Sequence, residues 1–207
     1  MMKKFLTITI FSAAIISLFM SCNARRQQLG GHLTYDEGVV IDGVRWATRN
    51  VDAPGTFAAN PEDAGMFYQW NRQRGWMSRG ENVFGWPSST PSGTVWARGY
   101  DPCPPGWRVP TYVELRSLVG SGSVWTTQNG INGRLFGTAP NQIFLPAAGW
   151  RDHHSGSHSR IVYGFYWSSE QNTPQLALLL RFSNINAFMN TYERARGHSV
   201  RCVADDN

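Results

Sequence analysis

The sequence predicts an α+β domain of short antiparallel strands, one main helix and much irregular loop, and three observations lead there. First, 42% of its 207 residues are hydrophobic against 16% charged, which supplies a core and excludes disorder. Second, 21 Gly, 11 Pro and 9 Trp exclude a long helical bundle or coiled coil. Third, one segment carries a complete helix start, while the apolar residues elsewhere fall in short runs of strand character. The length favours a single domain. The formal charge is +5, yet Lys3 and Lys4 are the only lysines and every other cation is Arg. Without them roughly +3 remains, scattered along the chain, so nucleic acid is not an expected partner.

Residues 1–21 read as an export signal. Lys3 and Lys4 form a basic start, Phe5 to Met20 an apolar stretch, and Ser21 a small-residue exit. The run Leu18-Phe19-Met20-Ser21-Cys22 resembles a bacterial lipobox, in which the cysteine is acylated and becomes the mature N-terminus. Cys22 is therefore the expected lipidation site and the lipid the expected tie to the membrane. A plain signal peptide with a coincidental cysteine is the alternative, and a transmembrane helix suits the basic start less well. Residues 22–34 are polar and Gly-ended, a tether. Residues 35–207 are left as the domain.

With Cys22 used by lipid, Cys103 and Cys202 remain as an even pair in an oxidising compartment, and a disulfide between them is expected. Two catalytic thiols are the alternative, but neither has a CxxC partner.

Within the domain, Val39-Val40-Ile41 and Val44-Arg45-Trp46-Ala47 flank Asp42-Gly43, a hairpin signal. Glu62 to Gln73 is expected to hold a helical turn or two, with Met66, Phe67 and Trp70 on one side. Gly75 to Gly99 has no sustained period and reads as a long loop pinned by Trp76, Trp86 and Trp96. Thr111 as N-cap with Glu114 three residues on forms a capping box behind Pro110. Val113, Leu115, Leu118 and Val119 then make an apolar stripe ending at Gly120. Strands are expected at Ile143 to Leu145, Gly164 to Trp167, Leu176 to Phe182 and Ser199 to Val203, the last tied back through Cys202.

Six ordered blocks resemble a known family. They are Ile41-Asp42-Gly43-Val44-Arg45-Trp46-Ala47-Thr48-Arg49-Asn50-Val51, Gly65-Met66-Phe67-Tyr68-Gln69-Trp70, Cys103-Pro104-Pro105-Gly106-Trp107-Arg108-Val109-Pro110-Thr111, Leu145-Pro146-Ala147-Ala148-Gly149, Tyr166-Trp167-Ser168-Ser169 and Ser199-Val200-Arg201-Cys202-Val203. Together they look like the Fibrobacter succinogenes major paralogous domain, common in surface lipoproteins of Bacteroidetes. The resemblance implies a C-type-lectin-like fold, shared with formylglycine-generating enzymes and with diversified receptors. It also implies a place at the outer membrane or cell surface. A lectin-type calcium site is not implied, because Thr173-Pro174-Gln175 and Trp167-Ser168-Ser169 lack the carboxylates that Ca²⁺ wants.

Two other groupings bear on chemistry. His153, His154 and His158 beside Asp152 contain metal-ligand types, but the spacing fits no standard site and a solvated loop is the plainer reading. Glu114 and Glu170 are the carboxylates a hydrolase would pair, yet Glu114 is a capping residue. No nucleophile elbow, phosphate loop or metalloprotease motif is present, so no catalytic residue and no cofactor are expected. The segment Gln171 to His198, with its polar run after Phe182, is the candidate binding surface, an ordinary surface loop being the alternative. By resemblance to the diversified receptors, its ligand contacts are Gln171, Asn172, Asn184, Asn186, Asn190, Tyr192, Arg194, Arg196 and His198. Asn, Tyr and Arg are residue types that recognition surfaces use. The expected function is a surface-anchored, non-enzymatic recognition or adhesion domain for a protein or glycan ligand. The alternatives are a calcium-independent carbohydrate-binding module and, third, an enzyme of the formylglycine-generating type.

Overall fold

Residues 34–80, 83–159 and 162–205 are described by the computed structural model. The export signal, Cys22 and most of the tether lie outside them. Thr34–Asn207 forms one compact unit.

The chain enters through the expected hairpin, β1 (Val39–Ile41) and β2 (Val44–Trp46), with Val39 opposite Trp46. Asp42 and Gly43 both take positive φ, 49° and 81°, as the tight turn requires. The helical turns expected over Glu62 to Gln73 are absent. Met66–Gln69 is strand β3, paired with β4 (Gly75–Met77). Phe67, Tyr68, Gln69 and Trp70 are all buried, so the segment is covered on both faces, as a central strand is and a half-exposed helix is not. Gly65 precedes it at φ 64°, where a Cβ would lie 2.1 Å from the Val51 carbonyl oxygen. The loop expected from Gly75 opens instead with β4, which holds buried Trp76 and is paired to β3; the described residues from there to Gly99 are largely loop, with Trp96 buried and Trp86 half-buried.

After β5 (Trp107–Arg108) comes α1 (Tyr112–Gly120), opened by the expected capping box: Thr111 Oγ1 accepts from Glu114 N, and Glu114 Oε2 accepts from Thr111 N at 2.7 Å. Arg108 forks onto the same carboxylate at 2.9 and 2.6 Å. Leu115 and Leu118 are buried, but Val113 stays exposed. Thr111→Ala is expected to lower stability by about 1 kcal/mol, read from the urea midpoint.

The next stretch is a meander, β6 (Ser123–Gln128), β7 (Ile131–Thr138) and β8 (Asn141–Pro146), of which only Ile143 to Leu145 was expected. Its first turn is Asn129-Gly130, both with positive φ. The chain continues through β9 (Trp150–Arg151), β10 (His158–Ser159), β11 (Gly164–Gln171), β12 (Leu176–Phe182), β13 (Ala187–Glu193), β14 (Gly197–His198) and β15 (Val203–Ala204). The strand expected over Ser199 to Val203 forms only at its end. Before it, Val200 and Cys202 carbonyls accept from Val51 and Ala47, while Ser199 exchanges bonds with β11.

Strands join in four sheets, β1-β2-β15-β5, β10-β9-β14-β3-β4, β11-β12-β13 and β6-β7-β8, with every named pairing antiparallel. This corrects the expected fold class. The described residues are 41% strand and 7% helix, and the protein is a β-rich fold of several antiparallel sheets with one α-helix, not an α+β C-type-lectin-like domain. The physical reason is that long-range pairing makes β3 a strand where local spacing predicts helical turns, and forms the β6-β7-β8 meander where local pattern predicts only Ile143 to Leu145.

The β11-β12-β13 sheet divides the core. Phe165, Trp167, Ala177 and Leu179 face a cluster with Tyr68, Trp70, Trp96, Val200 and the half-cystines. Tyr166, Leu180 and Phe182 face the other side, with Leu115, Leu118, Phe136 and Trp46. The alternation is the period-2 rule applied to strands buried on both faces.

Candidate functional site

Strand β12 runs antiparallel between β11 and β13, so its two ends carry two different turns. Residues 172–175 form the turn before Leu176, and 183–186 the turn after Phe182. At about 3.3 Å per residue the seven-residue strand holds those turns roughly 20 Å apart. The residues expected to form one binding surface are therefore divided. Asn172 is exposed at one end, and Asn184 and Asn186 at the other.

Two of the expected contacts belong to the interior, and these are corrections. Arg194 is 1% exposed: Nη1 donates to the Pro91 and Gly93 carbonyls, Nη2 to Thr173 O and Gln171 Oε1, and the guanidinium lies 4.4 Å over the Trp70 ring. Gln171 is consumed in the same arrangement. The planar fork ties the 91–93 and 171–173 segments together, which a polar run read in isolation does not disclose. His198 is 0% exposed, with its ring 5.0 Å from Phe165 and 4.4 Å from Trp167, and neither ring nitrogen has a hydrogen-bond partner. It sits in β14 opposite Tyr68, so strand pairing buries it.

Burial, with Arg196 nearby, pushes the His198 imidazole well below its ordinary value. The folded protein thus refuses a proton that the unfolded chain accepts, and this contribution to stability is lost as pH falls below about 6.5. We expect the melting temperature of wild type relative to His198→Phe to decline between pH 7 and 5. A constant difference would show that the imidazole is not held neutral.

The rest of the expected set lies on or beside β13. Asn190 and Tyr192 are half-buried on the face that also carries Phe188, since alternate residues share a side. Tyr192 meets Phe165 edge-on at 5.3 Å, and Arg196 lies over Tyr192 while donating to Glu193 at 2.6 Å. Across the register, Phe165, Arg181 and Phe188 form one rung. Arg181 is the residue that sequence reading missed. Its guanidinium lies 4.9 Å from the Tyr163 ring centroid, 5.4 Å from Phe188 and 6.0 Å from Phe165. Among the described residues it has no carboxylate partner and no hydrogen bond, and its Nε is buried without an acceptor. A signal was present: in phase with buried Ala177 and Leu179, position 181 is an inward one, yet it holds a charge.

At the same end of the sheet, Ile185 is 82% exposed between Asn184 and Asn186. The face thus combines a cation, half-exposed aromatic rings, adaptable amides and an exposed aliphatic.

The other groupings have structural partners. Glu114 caps α1, and Glu170 Oε1 accepts from Tyr112 N at 3.1 Å, at the same helix start. The His153 and His154 rings lie 3.8 Å apart and tilted by 41°, Asp152 lies 3.5 Å from His153 Nδ1, and His158 packs on Phe67. No group of three metal-ligand side chains occurs among the described residues. Trp76 and Trp96 are core, and Trp86 Nε1 donates to His153 O, so these indoles do not form an open platform. A polar cleft of about 540 Å³ is lined by Asn71, Arg72, Arg74, Pro91 and Tyr100 among others. Arg72 there is already fastened to Ser89. No helix among the described residues is long and apolar enough to cross a membrane.

Fold and face together define a mostly β domain, joined by a Cys103–Cys202 disulfide, with a cationic aromatic surface at one sheet end. A family model described as a domain of unknown function, DUF8237, matches residues 123–203, from β6 into β15. That span contains the whole of this face. No curated protein and no solved structure matches the chain.

Proposed function

We propose that the protein is an exported, lipid-anchored, non-enzymatic recognition domain whose ligand is met by Arg181, Phe188, Asn190, Tyr192 and the Asn184–Asn186 turn. The observation that carries this reading is the Arg181 guanidinium, framed by rings and left without a carboxylate. Aromatic rings frame this half-buried cation, and its terminal nitrogens remain available to an anionic or hydrogen-bonding ligand. The lipobox-like run ending at Cys22 and the six blocks resembling the Fibrobacter succinogenes major paralogous domain support an anchored surface protein. The aromatic rings favour a second reading within the same site, a carbohydrate-binding module that works without calcium.

The test has two arms. Cys22→Ala should move the protein from the membrane to the soluble fraction, because firm anchoring needs several acyl chains. The purified protein, screened against glycans and extracellular proteins, should bind at least one partner saturably, and Tyr192→Ala should cost of order 2 kcal/mol if it is a central anchor. Turnover of a Cys-containing peptide, or no saturable binding to any partner, would remove the reading.

A further inference from the structure

Resting on that reading, we infer that the Arg181 face binds the carboxylate of an acidic sugar, a uronate unit within a glycan. Three features converge on it. The first is charge. Both Arg181 terminal nitrogens reach solvent and donate to nothing among the described residues, so a carboxylate can take two parallel hydrogen bonds from them without displacing a protein acceptor. Nε is buried behind them without an acceptor and adds no competing partner.

The second is shape. Tyr163 and Phe188 flank the guanidinium and are themselves only half-buried, so the cation opens between two ring surfaces. The C–H face of a pyranose is apolar and slightly positive and rests on the negative face of an aromatic ring. A uronate carries its carboxylate at the edge of such a ring, which seats the charge at Arg181 while the sugar lies along Phe188 or Tyr163. An acidic peptide side chain offers the same charge on a flexible stem with no apolar face to match.

The third is hydrogen-bonding supply. Asn190 lies on the same strand face, and Asn184 and Asn186 stand exposed at the adjoining turn. The Asn184 and Asn186 amides both donate and accept, as ring hydroxyls require, while Asn190 offers its Nδ2, its Oδ1 already accepting from Thr191 N at 2.8 Å. With no described carboxylate close enough to pair with Arg181, repulsion of an anionic ligand at that point is small.

The experiment is calorimetric titration of the disulfide-bonded protein with trisaccharides of galacturonate, glucuronate and mannuronate, each beside its methyl ester. The ester keeps the sugar and removes the charge. At least one acid should bind, its ester at least tenfold more weakly. Arg181→Met, which retains the apolar stem, should abolish the difference between acid and ester, whereas Arg181→Lys should keep part of it. The inference is overturned if acid and ester bind alike, if Arg181→Met binds as wild type, or if none of the acids binds. Equal binding of triglutamate would overturn the sugar assignment. The acid and ester comparison on wild type stands even if a variant folds poorly. Failure of all uronates, with saturable binding of some other partner in the wider screen, sinks this inference and leaves the recognition reading intact.

Discussion

Arg201→Met is expected to destabilise the domain by about 3–5 kcal/mol, enough to consume a large part of the 5–15 kcal/mol that domains typically hold. Arg201 is fully buried. Nε and Nη2 donate to Asn50 Oδ1 at 3.0 and 2.8 Å, Nη1 to Ala47 O at 3.1 Å, and Nη2 also to Phe144 O at 3.0 Å. Asn50 in turn donates to Ala64 O and meets the Tyr166 hydroxyl, which donates to Pro146 O. Burial pushes the guanidinium down to about 10, so it stays charged at neutral pH. Removing it leaves Asn50 and two carbonyls desolvated without a donor, and that penalty, more than the lost attraction, sets the size of the effect. Denaturant unfolding measures it. A loss under about 1 kcal/mol would mean that water or rearranged neighbours replace the fork.

Reduction of the disulfide should have the second large effect. Cys103 and Cys202 are bonded, with Cα atoms 6.0 Å apart and 99 positions apart in sequence. Closing a loop of that length removes unfolded-state entropy worth up to about 4–5 kcal/mol in the chain-entropy model. At roughly 2–4 °C per kcal/mol for a domain of this size, the melting temperature should fall by about 10–15 °C in Cys103→Ser/Cys202→Ser. Bonded sulfurs carry no thiol, so neither should react with an alkylating agent even when the oxidised protein is unfolded in denaturant. Free thiols in the native protein would remove the bridge and reopen cysteine chemistry. An unchanged melting temperature would mean that residual structure already confines the reduced unfolded chain, and would remove the entropic account.

Several features were legible because local chemistry alone decides them. The Asp42-Gly43 hairpin forms because both positions must take positive φ and those residues do so at low cost. The α1 start is written in Thr111 and Glu114, three residues apart, whose reciprocal bonds need no other part of the chain. Strand β12 coincides with the expected Leu176 to Phe182 because its alternation persists over seven residues. The Cys103–Cys202 pairing is expected from cysteine number once Cys22 is set aside, and the structure forms it. Asn129-Gly130 was equally legible and went unread.

Other features depended on tertiary contacts. Met66 to Trp70 has apolar spacing compatible with either helix or strand, and tertiary structure decides for strand: β4 and β14 pair its two edges, and packing buries Phe67 to Trp70 on both faces. The resemblance implied a lectin-like α+β fold, whereas the number and pairing of sheets belong to long-range register. Within the candidate site, Arg194 and His198 looked like surface residues because their run is polar, but the partners that bury them lie elsewhere in sequence: Trp70 and Pro91 for Arg194, Tyr68 and Trp167 for His198. By itself the sequence determined the turns, the helix start, the long alternating strand and the cysteine pair, all set by neighbours within a few residues or by simple count. Only the tertiary structure decided which polar side chains are core and which cation is left without a partner, because burial and pairing are properties of surfaces that meet only when distant segments pack.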